Sequence, residues 1–211
     1  MWNKLFNPEN GFWRLMGILT DLLAFSLLWL ACAATVVLLG PGTTALYDAM
    51  ARHLVKGELG GYVRFRDSLK ANFKVGCPAG LAVFAAGYAL VKLHGVLYAG
   101  GAAGDRAMFV LYIAFWGFFV AVCGIAAYIF PVLSRFEFGL GGLLSTSVKL
   151  ALAHPGTTLL LGALTGGCIM LCVLFWLPAL VLPYAWAWLA SLLLERVFKP
   201  YMEGQSEHDT H

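Results

Sequence analysis

The chain has 211 residues, of which 61% are hydrophobic and only 12% charged, with a mean hydropathy of +0.80. About a quarter of the residues of a soluble domain are charged, so this composition excludes an ordinary soluble protein and leaves lipid as the cover for the long uncharged stretches. The formal net charge of +3 is too small for a nucleic-acid binder, so no nucleic-acid partner is expected, and the placement of the basic residues matters more than their sum.

Leu22 to Leu39 is an uncharged run of 18 residues that, with Phe12, Trp13 and Leu15 to Ile18, reaches the roughly 20 residues needed to cross the hydrocarbon of a bilayer. Asp21 interrupts the run too early for the apolar part of a cleaved signal peptide, so the segment reads as a first span. Gly40-Pro41-Gly42 then predicts a break. Thr43 or Thr44 would cap a new amphipathic helix through Tyr47 and Leu54, with Asp48 in its first turn. A second polar segment sets Tyr62, Phe65, Leu69 and Phe73 at helical spacing, with Arg64, Arg66, Lys70 and Lys74 over the other face. A basic helix backed by aromatics lies in the membrane interface; it reads first as a solvated topological anchor, since positive flanks are routine in membrane proteins, with a docking surface for a partner or for anionic lipid as the competing reading.

Val75 to Gly100 is apolar except for Lys92 and His94, and Ala107 to Ser134 carries no charge over 28 residues; these are spans two and three, joined by a flexible turn, Gly100 to Arg106. A short amphipathic piece around Ser145 to Ala153 follows. From Leu150 to Leu194 there are 45 residues without Asp, Glu, Lys or Arg, about twice the hydrocarbon thickness as helix, so the stretch must fold back. Pro178 is the best turn, giving spans Thr157 to Trp176 and Ala179 to Phe198, whereas a turn at Gly166-Gly167 would drag Lys149 toward mid-membrane.

The expected fold is therefore all-α, a polytopic membrane bundle of five transmembrane helices plus interfacial amphipathic helices. It forms one domain over residues 1–202, with 203–211 as a polar unstructured tail. With the first loop cytoplasmic, Arg52, Lys56, Arg64, Arg66, Lys70, Lys74, Arg135, Lys149, Arg196 and Lys199 lie inside, against Lys4, Arg14 and Arg106 outside. Positive loops face the cytoplasm, which places the N-terminus outside and the C-terminus inside. In this topology Asp21 and Lys92 lie at similar depth and pair if their helices are neighbours, with His94 and Arg14 as alternative partners.

The N-terminal run Phe6-Asn7-Pro8-Glu9, followed by Asp21-Leu22-Leu23, Leu27-Leu28-Trp29-Leu30 and Thr43-Thr44-Ala45-Leu46-Tyr47, resembles the YesL family of bacterial membrane proteins. Phe65 to Lys74, and Ile129 to Glu137 with Pro131, Arg135 and Glu137, are similar to its later signatures. The chain departs from the family at Ser26, where an asparagine is usual, and at Thr35 and Leu38, where a proline and a threonine are usual. The resemblance implies a bacterial plasma-membrane location and a domain of unknown function associated with carbohydrate import systems.

Chemistry-bearing motifs are scarce. There is no Walker loop, GxSxG, HExxH or intramembrane carboxylate pair, so neither an enzyme nor a cofactor is expected. Cys32, Cys77, Cys123, Cys168 and Cys172 lack CxxC or Cys/His spacing and read as packing residues, with no metal site. His208 and His211 read as solvated. The spacings Gly76-x-x-x-Gly80 and Gly162-x-x-x-Gly166 allow close helix approach. Trp13 and Trp176 fall at span ends as interface belts should. Pro41-Gly42-Thr43-Thr44 and Pro155-Gly156-Thr157-Thr158 are identical pieces, each expected to open a helix. The function expected is that of a non-enzymatic accessory protein of a carbohydrate ABC-type uptake system, contacting permease subunits and membrane lipid. The competing expectation is a small solute transporter in its own right, hinted at by the repeated Pro-Gly-Thr-Thr and by Lys92 and His94.

Overall fold

The structure is a computed structural model that describes residues 11–52 and 60–208; for residues 11–15, 18 and 203–208 only the backbone is described. The expectations placed on Phe6 to Glu9, Lys4, Lys56 and His211, and on the side chains of Trp13, Arg14 and His208, lie outside the described residues. The described elements are α1 (Gly11–Ala34), α2 (Leu39–Met50), α3 (Gly61–Ala71), α4 (Phe73–Ala102), α5 (Arg106–Arg135), α6 (Leu140–Ala153), α7 (Pro155–Leu174), a 3-10 turn (Leu177–Leu180) and α8 (Leu182–His208). Every one of them is helical, as an apolar chain in lipid requires, because each backbone N–H and C=O must be satisfied within its own segment.

Among the described residues, three helices are long and apolar enough to cross a membrane: α4 and α5, of 30 residues each, and α7, of 20. The chain is an all-α, membrane-embedded protein. At 1.5 Å per residue α4 and α5 are each about 45 Å long and α7 about 30 Å. Their outer faces are apolar and uncovered, with Val91 68% and Ile113 59% exposed. That is the expected condition of a lipid-facing surface.

The helix ends follow local chemistry. α4 runs to Ala102, so its link to α5 is three residues rather than the longer glycine turn that the sequence suggests. Gly104 takes a φ of +92° there, a left-handed conformation that glycine adopts without steric cost. Asp105 then caps α5, its carboxylate accepting from the amides of Ala107 and Met108 at 2.9 and 3.3 Å. The turn between α7 and α8 falls at residues 175–181 around Pro178, and Gly166-Gly167 lies within α7.

The first hairpin departs from expectation. The break after α1 is at residues 35–38, not at Gly40-Pro41-Gly42: Thr35 donates its hydroxyl to the Cys32 carbonyl at 2.7 Å and accepts from the Leu38 amide at 3.2 Å. Val36 between them has a φ of +59°, a strained conformation for a β-branched residue. α2 therefore begins at Leu39, and Pro41, Gly42, Thr43 and Thr44 lie inside it. The two threonines do not cap; their hydroxyls donate back to the carbonyls of Leu39 and Gly40.

Nor is α2 an interfacial helix. Every residue from Gly40 to Met50 is buried, because α2 packs on α1, α3, α4, α5 and α8 together. Glycines make the approach possible. A Cβ at Gly40 would collide with the Gly76 carbonyl, one at Gly80 would meet the Gly40 backbone, and one at Gly42 would stand 2.7 Å from Cys32 Cβ. On the other side of the bundle, Gly124 of α5 and Gly162 of α7 meet the backbones of Thr158 and Val120 in the same way. α6 buries Leu143, Ser147, Leu150 and Ala151 and packs chiefly on α5 and α7. The backbone of α8 continues helical to His208, through most of the stretch expected as an unstructured tail.

Candidate functional site

A charged cluster lies where the ends of α2 and α5 meet α8. The guanidinium of Arg135, the last residue of α5, donates from Nε and Nη2 to Glu195 Oε1 at 2.8 and 2.7 Å. Its Nη1 donates to Asp48 Oδ1 at 2.6 Å. Asp48 also accepts from Arg52 Nε at 2.9 Å, one turn along. The side chains of Arg135, Asp48 and Glu195 are 4, 7 and 12% exposed. Ions this deep persist only when paired, and two acids here face two bases, so the cluster is neutral in sum.

Tyr47 completes it, donating its hydroxyl to Glu195 Oε1 at 3.3 Å while its ring lies 5.6 Å from the Arg135 guanidinium carbon. Burial, and next the Glu195 carboxylate, push this phenol well above the usual tyrosine range, so it is a fixed neutral donor. Arg135 thus spends three donors and a cation–π face on holding three helices at one point. Charge-assisted bonds of this kind position helices; the cluster contains no activated nucleophile.

Above the cluster opens a cleft of about 720 Å³ between α2, α3, the start of α4 and the link after α5. Its charged and polar lining includes Asp48, Arg64, Asp67, Asn72, Arg135 and Glu137, backed by Phe136 and Phe138. Arg135 and Asp48 form its paired floor, while Arg64, Asp67 and Glu137 are exposed at its rim.

The residues singled out from sequence scatter. Of the signature after the third span, Pro131 is buried inside α5, Arg135 is the hub of the network and Glu137 lies on the rim. The basic segment divides: Arg64 faces the cleft, whereas Arg66, Lys70 and Lys74 are exposed outside it. Asp21 and Lys92 do not meet. Asp21 accepts from the Tyr62 hydroxyl at 2.9 Å, and Lys92 lies over the Tyr88 ring at 5.3 Å. Their helices share little direct contact: the first turn of α2 packs on both, with Gly42 against α1 and Gly40 against α4. His94 joins neither; its ring lies among Tyr98, Tyr112, Phe115 and Trp116, with Nε2 3.4 Å from the Tyr112 hydroxyl.

Sequence reasoning missed Glu195 and the role of Asp48. Glu195 is the first charge after the 45-residue uncharged stretch, still on the apolar part of its helix, and that position was the available signal. Asp48 misleads because it sits near the end of α2, not in the first turn. Ser26, where the family usually has asparagine, is fully buried with its hydroxyl unpartnered among the described residues.

Fold and cluster together define a membrane-embedded helical bundle tied by an internal ion network. Residues 22–92 match the family model described as "Protein of unknown function, DUF624". That stretch runs from α1 through α2 and α3 to Lys92, so it contains Tyr47 and Asp48 but neither Arg135 nor Glu195. YesL proteins are DUF624-containing, and over this stretch the resemblance to that family is shown. Comparison with curated proteins and with solved structures gives no match.

Proposed function

We propose that the protein is a non-enzymatic accessory component of a bacterial carbohydrate ABC-type uptake system, docking on permease subunits through the lipid-facing surfaces of α4 and α5. One observation carries the reading. The charged cleft lies at the end of α5, over charges already paired with one another, while the helix pairs beneath it are closed by glycine-to-backbone contacts at Gly40–Gly80 and Gly124–Thr158. A transporter needs polar groups converging on a cavity near the bilayer midplane. The two residues that hinted at one, Lys92 and His94, are instead engaged by aromatic rings on the α4–α5 pair. The carbohydrate context comes from the family resemblance.

The same reading has five spans. α1, at 24 residues about 36 Å long, and α8 join the three long apolar helices, with the N-terminus outside and the C-terminus in the cytoplasm of a bacterial plasma membrane. The packing of α1 on α8 and on the Leu177–Leu180 turn supports it.

Purification of the tagged protein in mild detergent, from cells grown on complex carbohydrate, tests the role. Permease subunits should co-purify. Recovery of none, with solute uptake by the protein reconstituted alone, would overturn the accessory reading in favour of a transporter.

A further inference from the structure

α3 buries Gly61, Phe65 and Ser68 against α2 and turns Arg64 and Asp67 to the cleft. What remains outside is ordered. Arg66, Lys70 and Lys74 recur every four residues and are all exposed, the last beyond the one-residue break at Asn72 in the first turn of α4. Residues four apart on a helix stand about 6 Å from each other, so Arg66 and Lys70 are neighbours on α3, and Lys74 follows four positions on, across the Asn72 break, in the first turn of α4. Two apolar side chains border this stripe, Val63 at 56% and Phe73 at 47% exposure. Asp67, paired with Arg66 at 3.1 Å, is the acid beside the stripe. The depth of the stripe is set covalently: α4 is one of the long apolar helices, so a helix ending one residue before it is held at the edge of the hydrocarbon.

The geometry points to the Arg66–Lys70–Lys74 stripe as a binding surface for the phosphate headgroups of anionic glycerophospholipids, with Val63 and Phe73 entering the acyl region beside them. Phosphodiesters spaced by the lipid packing of a leaflet meet the three cations, while the two apolar side chains lose water to the chains below. This assignment rests on the membrane-embedded reading, with α3 at an interface, and needs no partner protein. It also separates the two faces of the basic segment, one for lipid and one, through Arg64, for the cleft.

The test is native mass spectrometry of the full-length protein in detergent, competing phosphatidylglycerol against phosphatidylcholine. Wild type should prefer phosphatidylglycerol. The triple variant Arg66→Gln/Lys70→Gln/Lys74→Gln should lose roughly a hundredfold of that preference, about fivefold per cation. A control triple, Lys149→Gln/Arg196→Gln/Lys199→Gln, removes the same charge from other exposed positions and should lose only a few-fold. Equal losses in the two triples, or no preference in wild type, would refute the assignment. If the first triple unfolds in neutral lipid, Lys70→Gln alone should still show the fivefold loss, and no loss there refutes it as well. A negative result leaves the pull-down outcome untouched, so the two readings fail separately.

Discussion

At the scale of single residues, the decisive group is Arg135. Its side chain is 4% exposed and holds Glu195 and Asp48, and removing it leaves two buried carboxylates with Arg52 alone to offset them. Breaking a buried pair from one side costs about 3–5 kcal/mol, more than the pair itself contributes over an apolar replacement. Arg135→Leu should therefore destabilise the folded protein by about that amount, and Arg135→Leu/Glu195→Leu together by less than the sum of the two single changes. Denaturant titration in mixed micelles reads both. Strictly additive losses would mean that the two side chains, though 2.7 Å apart, do not act as a unit. Arg135 and Asp48 were both visible as residues of note in the sequence. Their meeting, across 87 positions of chain, was not, because no local spacing encodes a contact between separate helices.

At the scale of elements, the glycines divide into two kinds that sequence cannot separate. Gly40, Gly80, Gly124 and Gly162 admit another backbone where a Cβ would stand, whereas Gly87 and Gly95 have nothing within 4 Å. Gly162→Ala should cost about 1–3 kcal/mol by overpacking against the Val120 carbonyl, and Gly40→Ala the same against Gly76. Gly87→Ala and Gly95→Ala should be neutral or slightly stabilising, since alanine is the better helix former by about 1 kcal/mol. Thermal unfolding of the four variants in one detergent distinguishes the sets, and similar midpoints throughout would contradict this packing. The long helices and their turns were legible because they follow from uncharged length and from Pro178 and Gly104. α2 departs from expectation because its neighbours, α3 and α4 above all, cover the face that composition alone left to water.

At the scale of the whole molecule, the proposed five-span arrangement makes a prediction for three reporter positions. Fusions at Glu58 and Asp105 should report opposite sides of the membrane, since the 30 residues of α4 lie between them. An N-terminal tag should report the side of Asp105, because α1 crosses once more. Finding the tag on the side of Glu58 would remove α1 from the spans and leave four. The amino-acid sequence by itself determined that this chain lives in lipid and is helical: uncharged stretches longer than a bilayer is thick have no other stable cover, and helices satisfy their own backbone. It also determined the turns after α4 and α7, because glycine and proline act on their immediate neighbours, but not the turn after α1, which falls at residues 35–38 rather than at Gly40-Pro41-Gly42. Only the tertiary structure decided that α2 is the centre of the bundle, that Asp21 and Lys92 stay apart, and that Asp48, Arg135 and Glu195 converge. Those outcomes depend on which helices are adjacent, and adjacency is set by backbone approach at a few glycines and by the pairing of buried charge, neither of which has a signature within a single helix.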